Sequence, residues 1–138
     1  MNPNVWVKNV FENAGIQAIA MLAGRALLAY IFIIAGWAKI GGYAGTAAYM
    51  ESQGLPGSLL FLVIILELGG GLAILFGFQT RVVALFLVIF NILTAFIFHG
   101  APDDATAFMK NISMAGGFIY LMIFGAGCLS IDRFLEKK

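Results

Sequence analysis

Four long apolar stretches account for most of this chain and limit what it can fold into. They cover residues 16–38, 58–77, 82–98 and 112–131. Arg25 and Glu67 are the charged residues inside them. Each stretch is close to the ~20 residues that a helix needs to cross ~30 Å of hydrocarbon, whereas β-barrel strands would appear as ~10-residue segments of alternating polarity. The pattern therefore predicts an all-α integral membrane four-helix bundle.

Composition excludes the other broad classes of protein. Hydrophobic residues make up 62% of the 138 residues and charged residues 11%, against ~45–50% and ~25% in soluble domains. A water-soluble fold of this size would need far more polar surface, and a disordered chain would need far less apolar content. The single cysteine, Cys128, excludes a disulfide scaffold and a Cys-X-X-Cys redox centre. The net charge of +1 gives no reason to expect nucleic acid as a partner.

The chain divides into three segments on this basis. Residues 1–15 are expected to form an N-terminal interfacial segment, residues 16–131 the transmembrane domain, and residues 132–138 a cytoplasmic tail. Short helical outer loops are predicted at residues 46–53, before Gly54 and Pro56, and near Asp103 and Asp104, which are good N-cap residues.

Basic residues near the span ends predict the orientation. Lys8, Arg81, Arg133, Lys137 and Lys138 fall on one side of the membrane, and Lys39 and Lys110 on the other. Because the side richer in Lys and Arg usually faces the cytoplasm, both termini are expected inside (N-in/C-in). The expected location is the bacterial inner membrane, with the lipid bilayer as the main surrounding partner.

Ionisable residues inside a membrane are costly and need partners, which makes them functional candidates. Glu67 lies at the centre of the second predicted span and Arg25 close to the centre of the first, so we expect these two side chains to form an ion pair. The pair has two interpretations: a structural clamp that fixes helix register, or a proton-active carboxylate or ligand anchor. Lys39 is expected on the same helical face as Arg25, nearer the outer mouth.

Further polar residues are predicted to surround an outer pocket. Lys39, His99, Lys110 and Asn111 are expected to line it, with Glu67 at its floor and Asn91 near the middle of the third span. One histidine cannot make a multi-histidine metal site, and no metal site is predicted. His99 could instead be a single haem ligand, a proton donor or a hydrogen-bond partner of a quinone carbonyl. The alternative is ordinary interfacial polar residues and, for Asn91, a bond to a neighbouring helix.

Glycines are expected at the helix contacts, because helices in lipid gain attraction mainly by close packing. The candidate packing residues are Gly36, Gly69, Gly70, Gly71, Gly116 and Gly117. A phosphate-binding glycine loop is not indicated, since no such motif occurs.

Several of these residues together resemble a known family. Residues 25–39 read RALLAYIFIIAGWAK, residues 66–81 read LELGGGLAILFGFQTR, and FH and FMKN follow at residues 98–99 and 108–111. The sequence resembles the DoxX family, and more closely its YqjF-like branch. The resemblance implies a four-helix inner-membrane protein of a family named for a subunit linked to quinone-coupled thiosulfate oxidation, with relatives tied to oxidative-stress systems as membrane partners of soluble redox enzymes.

Three functional hypotheses follow. The first is an accessory or ligand-binding subunit of a quinone-linked redox or oxidative-stress system. Such a subunit is not expected to have catalytic activity on its own. It would bind a quinone or lipid, or a redox protein partner, in the outer half of the bundle. The second is a proton-handling membrane subunit of a quinone oxidoreductase, in which Glu67 and His99 handle protons. The third is a small transporter that works as a homo-oligomer.

Overall fold

A computed structural model describes residues 2–137 of the chain. Met1 and Lys138, the ends of the predicted interfacial segment and tail, lie outside the described residues. The described part is helical, with no β-strand in it. Four of its helical segments are long and apolar enough to cross a membrane, which confirms the predicted fold class. These spans are Ala14–Gly41, Gly57–Phe76, Thr80–Phe98 and Pro102–Phe124.

The helices follow one another with short connections. They are α1 (Pro3–Phe11), α2 (Ala14–Gly41), α3 (Tyr43–Ser52), α4 (Leu60–Ile64), α5 (Gly70–Phe76), α6 (Thr80–Phe98), α7 (Ala105–Phe124) and α8 (Ile131–Glu136). The second span is composite, because a 3-10 turn at Gly57–Leu59 precedes α4 and a π-helical turn at Ile65–Gly69 joins α4 to α5.

The bundle has two distinct ends. The His99 end carries α3 and the connection at residues 99–104, and the Asp132 end carries α1, the turn at residues 77–79 and α8. Helix α3 contains most of the predicted outer-loop helix and stops before Gly54, whose φ of +83° is left-handed. A helix also lies in the predicted tail, where α8 begins at Ile131.

The fourth span departs from the prediction at both ends. Helix α7 begins at Ala105 and ends at Phe124, seven residues before the predicted end at Ile131. Gly125 and Gly127 have φ values of +77° and +83°, so the helix cannot continue through them. Asp104 occupies the N-cap position of α7, but its side chain makes no capping hydrogen bond. The expectation that this carboxylate caps the helix is therefore wrong.

Apolar side chains from all four spans meet in a small core. Phe32 of α2 and Phe118 of α7 pack edge to face at its centre, with ring centroids 5.4 Å apart. Outward-facing residues such as Leu27 and Tyr30 are 78% and 67% exposed. An apolar exterior of this kind suits a protein whose solvent is lipid rather than water.

Two glycines fix the register between α2 and the second span. A Cβ atom at Gly36 would lie 2.7 Å from the backbone nitrogen of Leu68, and one at Gly71 would lie 3.1 Å from that of Ile33. The two backbones therefore approach as closely as helices can, which only glycine permits. The two contacts also set α2 and the second span antiparallel, with Gly36 level with Leu68 and Ile33 level with Gly71.

The other predicted packing glycines divide into two groups. A Cβ at Gly117 would meet Leu28 at 3.0 Å, and one at Gly70 would make ordinary contact with Val83 at 3.5 Å. Gly69 and Gly116 have no side-chain or backbone neighbour within 4 Å of a Cβ position among the described residues. These last two do not pack helices within the chain.

Candidate ligand-binding site

A cavity of about 270 Å³ lies inside the bundle towards the His99 end. Apolar side chains from four helices form much of its wall, among them Phe32, Met50, Phe90 and Met114. The polar residues of the wall are Lys39, Thr46, Tyr49, Glu67, Asn91, Thr94, His99, Lys110 and Asn111. Six of the seven polar candidates from the sequence thus line one cavity, and the exception is Arg25.

An ion pair lies at the floor of this cavity. Lys39 Nζ is 2.7 Å from Glu67 Oε2, and the two side chains are 27% and 8% exposed. Within residues 2–137, the Glu67 carboxylate makes its polar side-chain contact with Lys39 and with no other residue. A paired lysine and carboxylate neutralise each other inside the membrane, where an unpaired charge of either sign would be strongly destabilising.

Glu67 sits in the π-helical turn of the second span. The turn covers Ile65–Gly69, so the carboxylate lies at its middle. Single π-helical turns inside α-helices are rare and are found frequently at functional sites. The local sequence gave no sign of this turn, because Glu67 also fits a regular helix.

The predicted Arg25–Glu67 ion pair is wrong, and helix register explains why. In the register set by Gly36 and Gly71, Lys39 is level with Ile65, about two residues or ~3 Å from Glu67. Arg25 is level with the turn at residue 79, about twelve residues or ~18 Å from Glu67. Lys39 is therefore the cation within reach.

Arg25 instead joins helix ends at the Asp132 end of the bundle. Its buried guanidinium donates to the carbonyl oxygens of Ile74 at 3.4 Å and Leu75 at 3.2 Å, and to that of Leu129. The last carbonyls of a helix lack partners within it and attract cations. Arg25 is therefore a structural residue that ties α5 to the segment before α8.

Two more side chains connect helix termini at this end. Asp132 accepts hydrogen bonds from the backbone N–H groups of Gln79 at 2.7 Å and Thr80 at 2.8 Å, where α6 begins. Arg81 donates to the carbonyls of Met122 at 2.9 Å and of Ile123, where α7 ends. Sequence reasoning assigned neither role, because the partners lie more than 40 residues away.

Two asparagines present amide groups to the cavity. Asn91 is 1% exposed, and its Nδ2 donates to the Leu87 carbonyl at 2.7 Å, which leaves its Oδ1 without a partner among the described residues. Asn111 is 8% exposed, and its amide forms no hydrogen bond within residues 2–137. Because Asn111 lines the cavity, its amide can serve a ligand as both donor and acceptor.

The mouth of the cavity carries the remaining charges. His99 Nδ1 contacts Asp104 Oδ2. Lys110, in the second turn of α7, is exposed and forms no ion pair within the described residues. Tyr49 of α3 stacks on Phe98 with centroids 5.6 Å apart and closes one side.

Sequence reasoning missed several contributors to this site. It did not assign Tyr49 or Thr46 to the cavity, and it did not predict the contact between His99 and Asp104. The five-residue spacing between His99 and Asp104 across a Gly- and Pro-containing connection was an available signal, since such a turn brings its ends together.

These groups suit the recognition of an oxygen-bearing ring. Apolar side chains of the wall can pack against a ring, while Lys39, Asn111 and Asn91 offer hydrogen-bond donors and acceptors. Among the described residues, three or more His, Cys, Asp or Glu side chains do not gather anywhere in a way that could hold a metal ion.

Comparisons with known proteins agree with this architecture. The DoxX family model matches residues 20–100. The chain is 53% identical to "Inner membrane protein YqjF" of Escherichia coli (strain K12), over 89% of this chain and 97% of that protein. It is 35% identical to "Inner membrane protein YphA" of the same organism, over 89% and 95%. It is 30% identical to "Putative oxidoreductase CatD" of Bacillus subtilis (strain 168), over 86% and 89%. No solved structure gives a significant match.

Proposed function

Because this chain belongs to the DoxX family and is a multi-pass protein of the bacterial inner membrane, we propose that its cavity binds the ring head group of a quinone-class molecule. In this role the protein is an accessory subunit of a redox or oxidative-stress system. The observation that carries the proposal is one cavity, with apolar side chains in much of its wall, that is also lined by the Asn111 side chain and by the Lys39–Glu67 ion pair.

The size and chemistry of the cavity support a ring rather than a whole lipid. Its volume of about 270 Å³ is close to the lower limit of ~300 Å³ for small-molecule sites. A single substituted ring fits this space, and a long apolar tail would extend into the surrounding lipid. Quinone carbonyls accept hydrogen bonds, which Asn111 and Lys39 can donate.

The orientation of the protein decides from which side the ligand enters. We place the Asp132 end in the cytoplasm, because it carries Lys8, Arg81, Arg133 and Lys137. The His99 end and the cavity mouth then face away from the cytoplasm. Reactive quinones that arrive from outside the cell would meet this mouth first.

Calorimetry in lipid nanodiscs tests the proposal. We expect a short-tailed quinone, decylubiquinone, to bind the protein above the signal of empty nanodiscs. Replacing Asn111 by Leu, which keeps the branched shape of the side chain and removes the amide, should weaken binding about tenfold, the worth of one hydrogen bond of ~1.4 kcal/mol. The matched control is Asn9→Leu on exposed α1, which should bind as the wild type does. Equal affinity in both variants would refute the proposed site.

A second candidate function is catalysis by the chain itself. The relative named "Putative oxidoreductase CatD" favours it, and so does the Lys39–Glu67 pair, which could exchange a proton with a bound quinone. Quinol production by the purified protein, with a soluble reductant supplied, separates the two functions. An accessory subunit should produce no quinol above the rate of the reductant alone, whereas an enzyme should do so and lose activity in Glu67→Gln.

A further inference from the structure

We infer that the head group of the ligand is anionic and that Lys110 selects it. The inference rests on the proposed function and adds the charge of the ligand to it.

The positive and negative charges of the residues that line the cavity do not cancel. Glu67 is paired with Lys39 at the floor, and His99 contacts Asp104 at the mouth. Lys110 has no acidic group within 4 Å of its ammonium among the described residues. The wall therefore carries one positive charge more than its own carboxylates neutralise.

The position of Lys110 makes this charge available to a ligand. The residue precedes Asn111 on α7, and both contribute to the cavity wall. Asn111 is buried and Lys110 is exposed, so the cavity wall has an amide in its interior and a cation that solvent can reach. An anion held by Lys110 would lie within the same site as the unpartnered amide of Asn111.

A cation beside an apolar cavity favours a negative partner over a neutral one. A lysine ammonium already makes a strong hydrogen bond to a neutral carbonyl, because one charged partner is enough. An anionic ligand adds a Coulomb attraction to the ammonium, and this attraction is stronger beside a partly apolar cavity than in bulk water. The complementary ligand is a flat apolar ring that bears an ionised oxygen. Ring hydroxyls or carboxylates that are deprotonated at neutral pH belong to this class.

Two ring compounds that differ by one charge provide the test. The probe 2-hydroxy-1,4-naphthoquinone is an anion at neutral pH, and 1,4-naphthoquinone is its neutral counterpart. Binding is measured by calorimetry in nanodiscs against empty nanodiscs. The background is Cys128→Ser, because quinones add to thiols and Cys128 is exposed. The same titrations are made with Lys110→Gln and with the matched control Lys137→Gln, an exposed lysine at the opposite end.

The expected result is that the anion binds at least about tenfold more tightly than the neutral quinone, as a hydrogen bond to a charged group would give. This preference should disappear in Lys110→Gln and remain in Lys137→Gln. Equal binding of the two probes, or a preference that survives Lys110→Gln, would overturn the inference and leave the proposed function standing. If neither probe binds, the proposed function fails and the inference fails with it.

Discussion

Replacing Lys39 by Met tests whether the floor of the cavity depends on its ion pair. The substitution keeps the length of the side chain and removes the charge, so the Glu67 carboxylate, 8% exposed, loses its partner. Removing one member of a buried pair costs about 3–5 kcal/mol in soluble proteins. We expect Lys39→Met and Glu67→Gln each to lower the free energy of unfolding by about 3 kcal/mol or somewhat less in lipid-like surroundings.

The double variant Lys39→Met/Glu67→Gln shows whether the two residues interact. With both charges gone, part of the loss should be recovered, and the coupling energy between the two sites should be about 2 kcal/mol. Unfolding by increasing SDS in mixed micelles, followed by tryptophan fluorescence, measures these values. The control is Lys110→Met, the same change at an unpaired lysine of the same cavity, which should stay within about 0.5 kcal/mol of the wild type. Strictly additive single effects would refute the ion pair.

Three further predictions concern packing, capping and topology. Gly71→Ala should cost about 1–3 kcal/mol of unfolding free energy, because its Cβ would press on Ile33, whereas Gly116→Ala, with open space around it, should cost nothing measurable in the same SDS titration. Asp132→Ala should lower the free energy of unfolding by about 0.5–2 kcal/mol, the loss of an N-cap, and amide exchange should rise at the start of α6, where Asp132 accepts from Gln79 and Thr80. Reporter fusions should place Gln53 outside the cytoplasm and the C-terminus inside, and the reverse result would move the cavity mouth to the cytoplasm.

The fold was predictable because its determinants are local. Stretches of about 20 apolar residues have one common solution in a membrane, and the helix breaks lie at residues such as Gly54 and Gly77 that stop helices by themselves. The end of α7 was misplaced because Gly125 and Gly127 lie within an uncharged run. Hydropathy alone does not distinguish a helix from an apolar connection there.

The sequence was enough to predict most of the polar residues that line the cavity, but not which of them form the ion pair. Polar residues in a membrane avoid lipid, so Lys39, Glu67 and Asn111 were expected to converge. Which cation meets Glu67 depends on helix register. That register is fixed by the contacts of Gly36 and Gly71, and their partners in space cannot be read from the sequence.

The most direct test of the account is to locate a bound quinone. A photoactivatable azidoquinone is added to the protein in nanodiscs, illuminated, and the labelled peptides are identified by mass spectrometry. We expect labelling at cavity residues such as Asn91 and Asn111, and we expect excess decylubiquinone to suppress it. Labelling confined to lipid-facing residues such as Tyr120 and Phe124, and unchanged by the competitor, would contradict it.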